Sequence, residues 1–117
     1  MQDKLLKKGK KFFKEIDFIV DLDGFSFAWV NEKAAKKLGY TAKEMVKLRL
    51  QDLLDFGSIF NQMKLNKTMH QEKGKITWTA IKKDGSKVTL NTRFHNIKDD
   101  DGTYHFTKIV KMEKERY

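Results

Sequence analysis

The chain has 117 residues, enough for one domain with a hydrophobic core but too few for two. Its formal net charge of +9 suggests a basic nucleic-acid-binding module as one alternative. Only three of its 25 Lys and Arg residues are Arg, however, and this scarcity of Arg disfavours nucleic acid as a partner. The absence of Cys excludes thiol catalysis, disulfides and Cys-ligated metals. No apolar run approaches the roughly 20 residues that span a bilayer, so we expect a cytoplasmic protein without membrane insertion.

The N-terminal segment, residues 1–15, is predicted to form an amphipathic helix. Its apolar residues fall on one side and lysines occupy the rest, although Gly9 in the middle costs roughly 1 kcal/mol relative to Ala. A frayed linker end and a helix lying on a membrane surface are the alternatives. The apolar side comprises Leu5, Leu6, Phe12, Phe13 and Ile16.

Residues 17–30 have the pattern of a β-hairpin. Phe18 and Val20 alternate with polar or outward positions on the first strand, and Phe27 and Trp29 alternate on the returning strand. Asp23-Gly24 between them predicts a type I′ turn, because both central residues of that turn need positive φ.

Two capped helices are predicted next. Asn31 can accept a hydrogen bond from a free backbone N–H in the first turn, and Gly39 stands where a helix favours a left-handed residue. Thr41 and Glu44 form the pattern of a capping box, in which each side chain satisfies a backbone donor of the other residue.

The remainder of the chain predicts one longer helix and three strands. Ser58 is expected to cap the helix, which runs to about His70 with Ile59, Phe60, Met63 and Met69 facing inward. Three alternating segments follow, joined by turns at Asp84-Gly85 and at residues 99–102, which is the pattern of an antiparallel meander. With the first hairpin they predict an α+β fold, a five-stranded antiparallel sheet with helices packed on one face.

The order of these motifs resembles a PAS domain. The matching residues are Asp21-Leu22-Asp23-Gly24, Trp29-Val30-Asn31, Ala34-Ala35, Leu38-Gly39-Tyr40, the Thr41–Glu44 capping box and the two later Asp-Gly turns. The resemblance covers roughly residues 15–113 and implies a PAS domain at 16–113. Residues 114–117 are then expected to begin a C-terminal linker helix, although Lys111 stands where many family members have the Asp of the junction.

The resemblance implies a cavity between the sheet and the helices. The residues expected to line a ligand pocket are Phe27, Trp29, Phe60, Met63, Trp78, Leu90, Phe94 and Phe106. Because they are mostly large and apolar, a core that simply fills this space is the alternative interpretation.

Cofactors are left open by the sequence, and the absence of any cofactor is one of the options. Covalent flavin photochemistry needs a Cys that this chain lacks, whereas Trp29 and Trp78 would flank a non-covalent flavin. His70 is the candidate ligand for a haem-binding alternative, with a surface histidine as the simpler interpretation. His95 and His105 are expected to be exposed, and no protein-ligated metal ion is expected: Asp99, Asp100 and Asp101 are interpreted as solvated turn residues.

No catalytic motif is present, and an enzyme is not expected. The resemblance implies a sensory or protein-interaction module in signal transduction, such as a two-component system. It would regulate an output domain, a histidine kinase or a cyclic-dinucleotide enzyme, through its ligand pocket or dimer interface. We expect a homodimer through the sheet and the N-terminal helix, with Leu5, Phe12, Phe13 and Ile16 as candidate contacts.

Overall fold

The computed structural model describes residues 2–55 and 59–114, and in this part of the chain it contains five strands and five helices. The elements are α1 (Gln2–Gly9), β1 (Phe18–Asp21), β2 (Ser26–Val30), α2 (Glu32–Lys37), α3 (Ala42–Met45), α4 (Leu50–Leu53), α5 (Ile59–Met69), β3 (Lys73–Ile81), β4 (Lys87–Asp99) and β5 (Gly102–Lys114). The predicted α+β architecture is confirmed. The predicted cap Ser58 lies outside the described residues.

The five strands form one antiparallel sheet in the order β2-β1-β5-β4-β3. The last strand, β5, is therefore central and pairs with β1 on one side and β4 on the other. The predicted meander of β3, β4 and β5 is confirmed. Strand β5 therefore runs from the centre of the sheet to Lys114, the last residue that the structure describes.

The turn between β1 and β2 is longer than predicted. Asp21 pairs with Ser26, so four residues separate the strands, and the residue with positive φ is Phe25 at +56°. The Asp21 side chain accepts a hydrogen bond from Asp23 N–H at 2.9 Å, which stabilises the wider loop. The prediction of a type I′ turn at Asp23-Gly24 is wrong.

Both predicted caps are present. The Asn31 side chain accepts from Lys33 N–H at 3.0 Å, and Gly39 at φ +88° ends α2. Gly39 N–H donates to Lys36 C=O and Tyr40 N–H donates to Ala35 C=O, the two bonds of a Schellman motif. The Thr41–Glu44 capping box also forms, with bonds of 2.9 and 3.1 Å.

The N-terminal helix ends earlier than predicted, at Gly9 rather than residue 15. The N–H groups of Phe12 and Phe13 both donate to Gly9 C=O, which closes the helix with a turn. Helix α1 packs on the face of the sheet opposite the other helices. A Cβ atom on Gly9 would lie 2.3 Å from Ile16 Cδ1 and 2.6 Å from Phe106 Cδ1, so the absence of a side chain permits this close packing.

The sheet separates two hydrophobic clusters. The larger cluster lies between the sheet and α2–α4, and it includes Phe18, Leu53 and Trp78. The smaller cluster lies on the other face, where Ile16, Ile19 and Phe106 are covered by side chains of α1 and the segment after it. We call these the helical face and the outer face of the sheet.

The predicted linker helix at residues 114–117 lies almost entirely outside the described residues. Strand β5 extends through Lys114, and Glu115, Arg116 and Tyr117 lie outside the described residues. In the described ranges, no helix is long and apolar enough to cross a membrane.

Candidate functional site

The candidate site is a cavity of about 30 Å³ between the helical face and the helices. Its walls are mostly apolar, and four polar side chains interrupt them: Thr68, Thr92, His105 and Thr107. The apolar lining comprises Phe18, Val20, Leu22, Phe27, Leu50, Leu53, Leu54, Leu65, Met69, Trp78 and Leu90. Such a volume has room for a molecule of only a few non-hydrogen atoms.

Three predicted pocket residues line the cavity: Phe27, Trp78 and Leu90. Phe94 is also buried but lies beside the cavity, where its ring stacks on His105 with centroids 5.1 Å apart. Met63 was expected to face inward and is instead 64% exposed. The side chain of Phe60, with that of Ile59, lies outside the described part of the chain.

Trp29 does not line the cavity, because a β-bulge changes the alternation of β2. Ile19 pairs with Trp29 while Val20 pairs with Phe27, so Ala28 is an extra residue. Phe27 and Val30 consequently belong to the helical face, whereas Ala28 and Trp29 belong to the outer face. Strict alternation of Phe25, Phe27 and Trp29 was the wrong assumption.

Phe106 also lies on the outer face, where it is fully buried under α1. Its neighbour His105 takes the position toward the cavity and is 6% exposed. The expectation that His105 is exposed is therefore wrong. His95 is half-buried, with its ring stacked on Phe12 at 3.6 Å between centroids.

The hydrogen bonds of Asn96 determine the tautomer of His105. Asn96 Nδ2 donates to Thr68 C=O at 2.9 Å and to Gln71 C=O at 2.7 Å. Its Oδ1 therefore faces His105 Nδ1, 2.7 Å away, and accepts a proton carried by that nitrogen. Burial lowers the pKa of His105 to about 4, so the ring is neutral at pH 7. Its Nε2 is then a hydrogen-bond acceptor without a partner among the described residues.

The threonine hydroxyls of the cavity differ in their bonding. Thr92 Oγ1 donates to Ile76 C=O at 2.8 Å and is satisfied. Thr68 is 2% exposed, and its Oγ1 is buried without a hydrogen-bond partner in the described structure. An unpaired buried hydroxyl costs about 1–3 kcal/mol, so this atom marks a place where a bound group would be stabilised.

The large cofactors considered from the sequence do not fit this cavity. Pockets for ligands of drug size or larger measure about 300–1,000 Å³, against the 30 Å³ found here. Trp29 and Trp78 lie on opposite faces and cannot flank one flavin ring. His70 is exposed and does not line the cavity, so its side chain is not positioned to ligate a haem iron there.

The predicted dimer residues are largely used within the chain. Ile16 is 2% exposed, and Leu5 and Phe13 pack half-buried against the same outer cluster. Phe12 remains 40% exposed. Val110, which the sequence analysis did not select, is 60% exposed because it lies in a bulge of β5 opposite Asn91 and Thr92.

Comparison with known proteins identifies the class. Residues 15–110 match the sequence profile of a PAS domain family. The match covers most of the chain, and the chain belongs to the PAS family. A search of curated protein sequences found no match.

Solved structures share the fold. A PAS domain from a two-component sensor histidine kinase is 14% identical, with 93% of this chain and 99% of that chain covered and a TM-score of 0.62. The dark-state LOV domain of the blue-light photoreceptor Aureochrome1 is 11% identical, with coverage of 91% and 83% and a TM-score of 0.65. A variant of the Cycle PAS-B domain from Drosophila melanogaster, with bound glycerol, is 17% identical, with coverage of 86% and 100% and a TM-score of 0.63.

Proposed function

We propose that this PAS domain is a sensory module of a cytoplasmic signalling protein, in which occupancy of the small cavity regulates an output domain. Strand β5 supports this proposal more than any other feature. His105 and Thr107 line the cavity, and the same strand continues to Lys114 at the C-terminal end of the described chain. A displacement of the cavity wall would reach the end of the sheet through one continuous element.

The size of the cavity favours a very small ligand over a flavin or a haem. The Cycle PAS-B domain with bound glycerol is a precedent for a small molecule in this fold. The output domain, which we infer to be a histidine kinase or a cyclic-dinucleotide enzyme, would receive the signal at the end of β5. The sensor histidine kinase relative supports the first of these.

Xenon is a suitable probe, because it binds dry apolar cavities without needing hydrogen bonds. We expect xenon added to the ¹⁵N-labelled chain to shift amide resonances of the cavity wall and of residues 108–114 in the same saturable titration. Shifts confined to the cavity wall would refute transmission along β5. No saturable shift would refute the cavity as a ligand site.

A homodimer through the outer face is the second element of the proposal. Phe12 and Val110 are both exposed and border one groove, which Phe13 and Ile109 also line. Pairing this groove with that of a second copy would bury both side chains. Because Leu5, Phe13 and Ile16 already pack within their own chain, they would support the interface rather than form its centre.

Sedimentation equilibrium tests the dimer. The wild-type chain is expected to sediment as a dimer, and the double variant Phe12→Ser/Val110→Ser is expected to sediment as a monomer. Met63→Ser is the control, because Met63 is more exposed than Phe12 and Val110 but lies on α5. A wild-type chain that stays monomeric over the whole concentration series would contradict the proposal.

A further inference from the structure

The cavity contains two polar atoms that the fold leaves without partners. Thr68 Oγ1 is buried and unpaired, and His105 Nε2 forms no hydrogen bond with the described residues. Both side chains line the same cavity, Thr68 from α5 and His105 from β5. Natural proteins pair most buried polar atoms, so the unpaired Thr68 hydroxyl indicates a bound group in this cavity, where His105 Nε2 offers a free acceptor.

The chemistry of these atoms selects the ligand. His105 Nδ1 donates to Asn96, and the low pKa keeps the ring neutral, so Nε2 can only accept. A threonine hydroxyl can donate and accept. A hydroxyl group of a ligand matches these two side chains, since it donates one hydrogen bond and accepts others. An amine cation is disfavoured, because the walls are mostly apolar and burying a charge among them is costly.

We propose that the cavity is specific for a small hydroxylic molecule, an alcohol of a few non-hydrogen atoms, whose O–H donates to His105 Nε2 while its oxygen accepts from Thr68 Oγ1. The alkyl part of the alcohol contacts the leucine and aromatic lining. This inference rests on the proposed function, because it names the ligand class of the same cavity.

The bound alcohol would also connect α5 to the central strand of the sheet, β5. Asn96 already links these elements, since it donates to the Thr68 carbonyl of α5 and to the Gln71 carbonyl just after the helix, and it bonds to the His105 ring. A ligand between Thr68 and His105 adds a second connection beside the first. Occupancy is therefore expected to reduce the motion of α5 relative to β5.

Ethanol is the probe, and ¹⁵N NMR of the histidine rings is the readout. In the wild-type chain we expect saturable binding with an upfield shift of the His105 Nε2 resonance, as an accepted hydrogen bond produces. Thr68→Val keeps the shape but removes the hydroxyl, and ethanol affinity is expected to fall about two- to tenfold. Thr68→Ser keeps a hydroxyl and is expected to retain most of the affinity.

Xenon separates failure of this inference from failure of the proposed function. The Thr68→Val variant is expected to bind xenon at least as well as the wild type, because xenon needs no polar partner; this also shows that the variant is folded. If xenon binds but ethanol does not, or if ethanol binds equally to wild type and Thr68→Val, the polar subsite is refuted while the cavity survives. If neither probe binds, both proposals are refuted.

Discussion

Asp17 and Ile109 connect the segment after α1 to the last strand. Asp17 Oδ2 accepts a hydrogen bond from Ile109 N–H at 2.6 Å, beside the bulge that exposes Val110. The Lys108 ammonium lies 3.9 Å from the same oxygen. The Asp17 carboxylate therefore joins the segment after α1, which belongs to the proposed dimer face, to β5, the proposed path to the output domain.

Burial raises the pKa of Asp17 above its ordinary value, despite the opposing effects of the Ile109 hydrogen bond and Lys108. A raised folded-state pKa means that this group's contribution to stability falls as pH rises through and above 3.8. Asp17→Asn keeps an acceptor for Ile109 N–H without the charge. We expect its stability relative to wild type to increase from pH 3 to pH 7 in chemical unfolding. A difference that stays constant from pH 3 to pH 7 would contradict this interpretation.

His105 gives a second pH dependence of opposite direction. Its pKa is lowered from 6.5 to about 4 by burial, so the unfolded chain binds a proton first as pH falls. Wild-type stability is expected to decrease between pH 6.5 and about 4, by an amount on the order of 3 kcal/mol. His105→Gln should lack this decrease in urea unfolding, while the exposed control His70→Gln should retain it. Equal pH profiles for wild type and His105→Gln would show that the ring does not titrate as proposed.

Gly9 is expected to be essential for the docking of α1. Ala at this position would favour the helix by roughly 1 kcal/mol, but its Cβ would overlap Ile16 and Phe106. Overpacking of this kind costs about 1–3 kcal/mol, so we expect net destabilisation and faster amide exchange in α1. Gly24→Ala is the matched control, because no atom lies within 4 Å of its Cβ position. Unchanged exchange in Gly9→Ala would contradict the observed packing of α1.

Leu53 tests the packing around the cavity. It is 2% exposed and lines the space from α4. Leu53→Ala is expected to cost about 2–5 kcal/mol in urea unfolding, because it removes buried apolar contacts and enlarges the void. Met63→Ala, at a 64% exposed position, is expected to change stability by no more than about 0.5 kcal/mol. A loss for Leu53→Ala as small as that of the control would mean that the helices pack loosely on the sheet.

Local signals predicted the fold well. Asn31, Gly39 and the Thr41–Glu44 pair act through neighbouring backbone groups, so the sequence alone contains the information for these caps. The later hairpins likewise follow from Asp-Gly turns between alternating segments. Their positions were sufficient to predict the order of the elements and the sheet.

Side-chain direction was harder to predict. The alternation of inward and outward side chains fails at the bulge that contains Ala28, and as a result Trp29 lies on the outer face instead of facing the cavity. It is also ambiguous where both faces of a strand are covered, as at His105 and Phe106, since α1 buries the outer face. A histidine on an alternating strand is ordinarily polar and exposed, whereas His105 is buried beside Asn96, nine residues away on the adjacent strand. That pairing depends on register, which the sequence does not state.

The most direct test of the account is a crystal structure of the chain under xenon pressure. We predict one xenon atom between Leu53, Trp78 and Leu90, with the surrounding side chains close to their present positions. A structure in which xenon is absent from this space, with the side chains closed upon one another, would contradict the cavity as a sensory site. The domain would then have to act through its outer face alone.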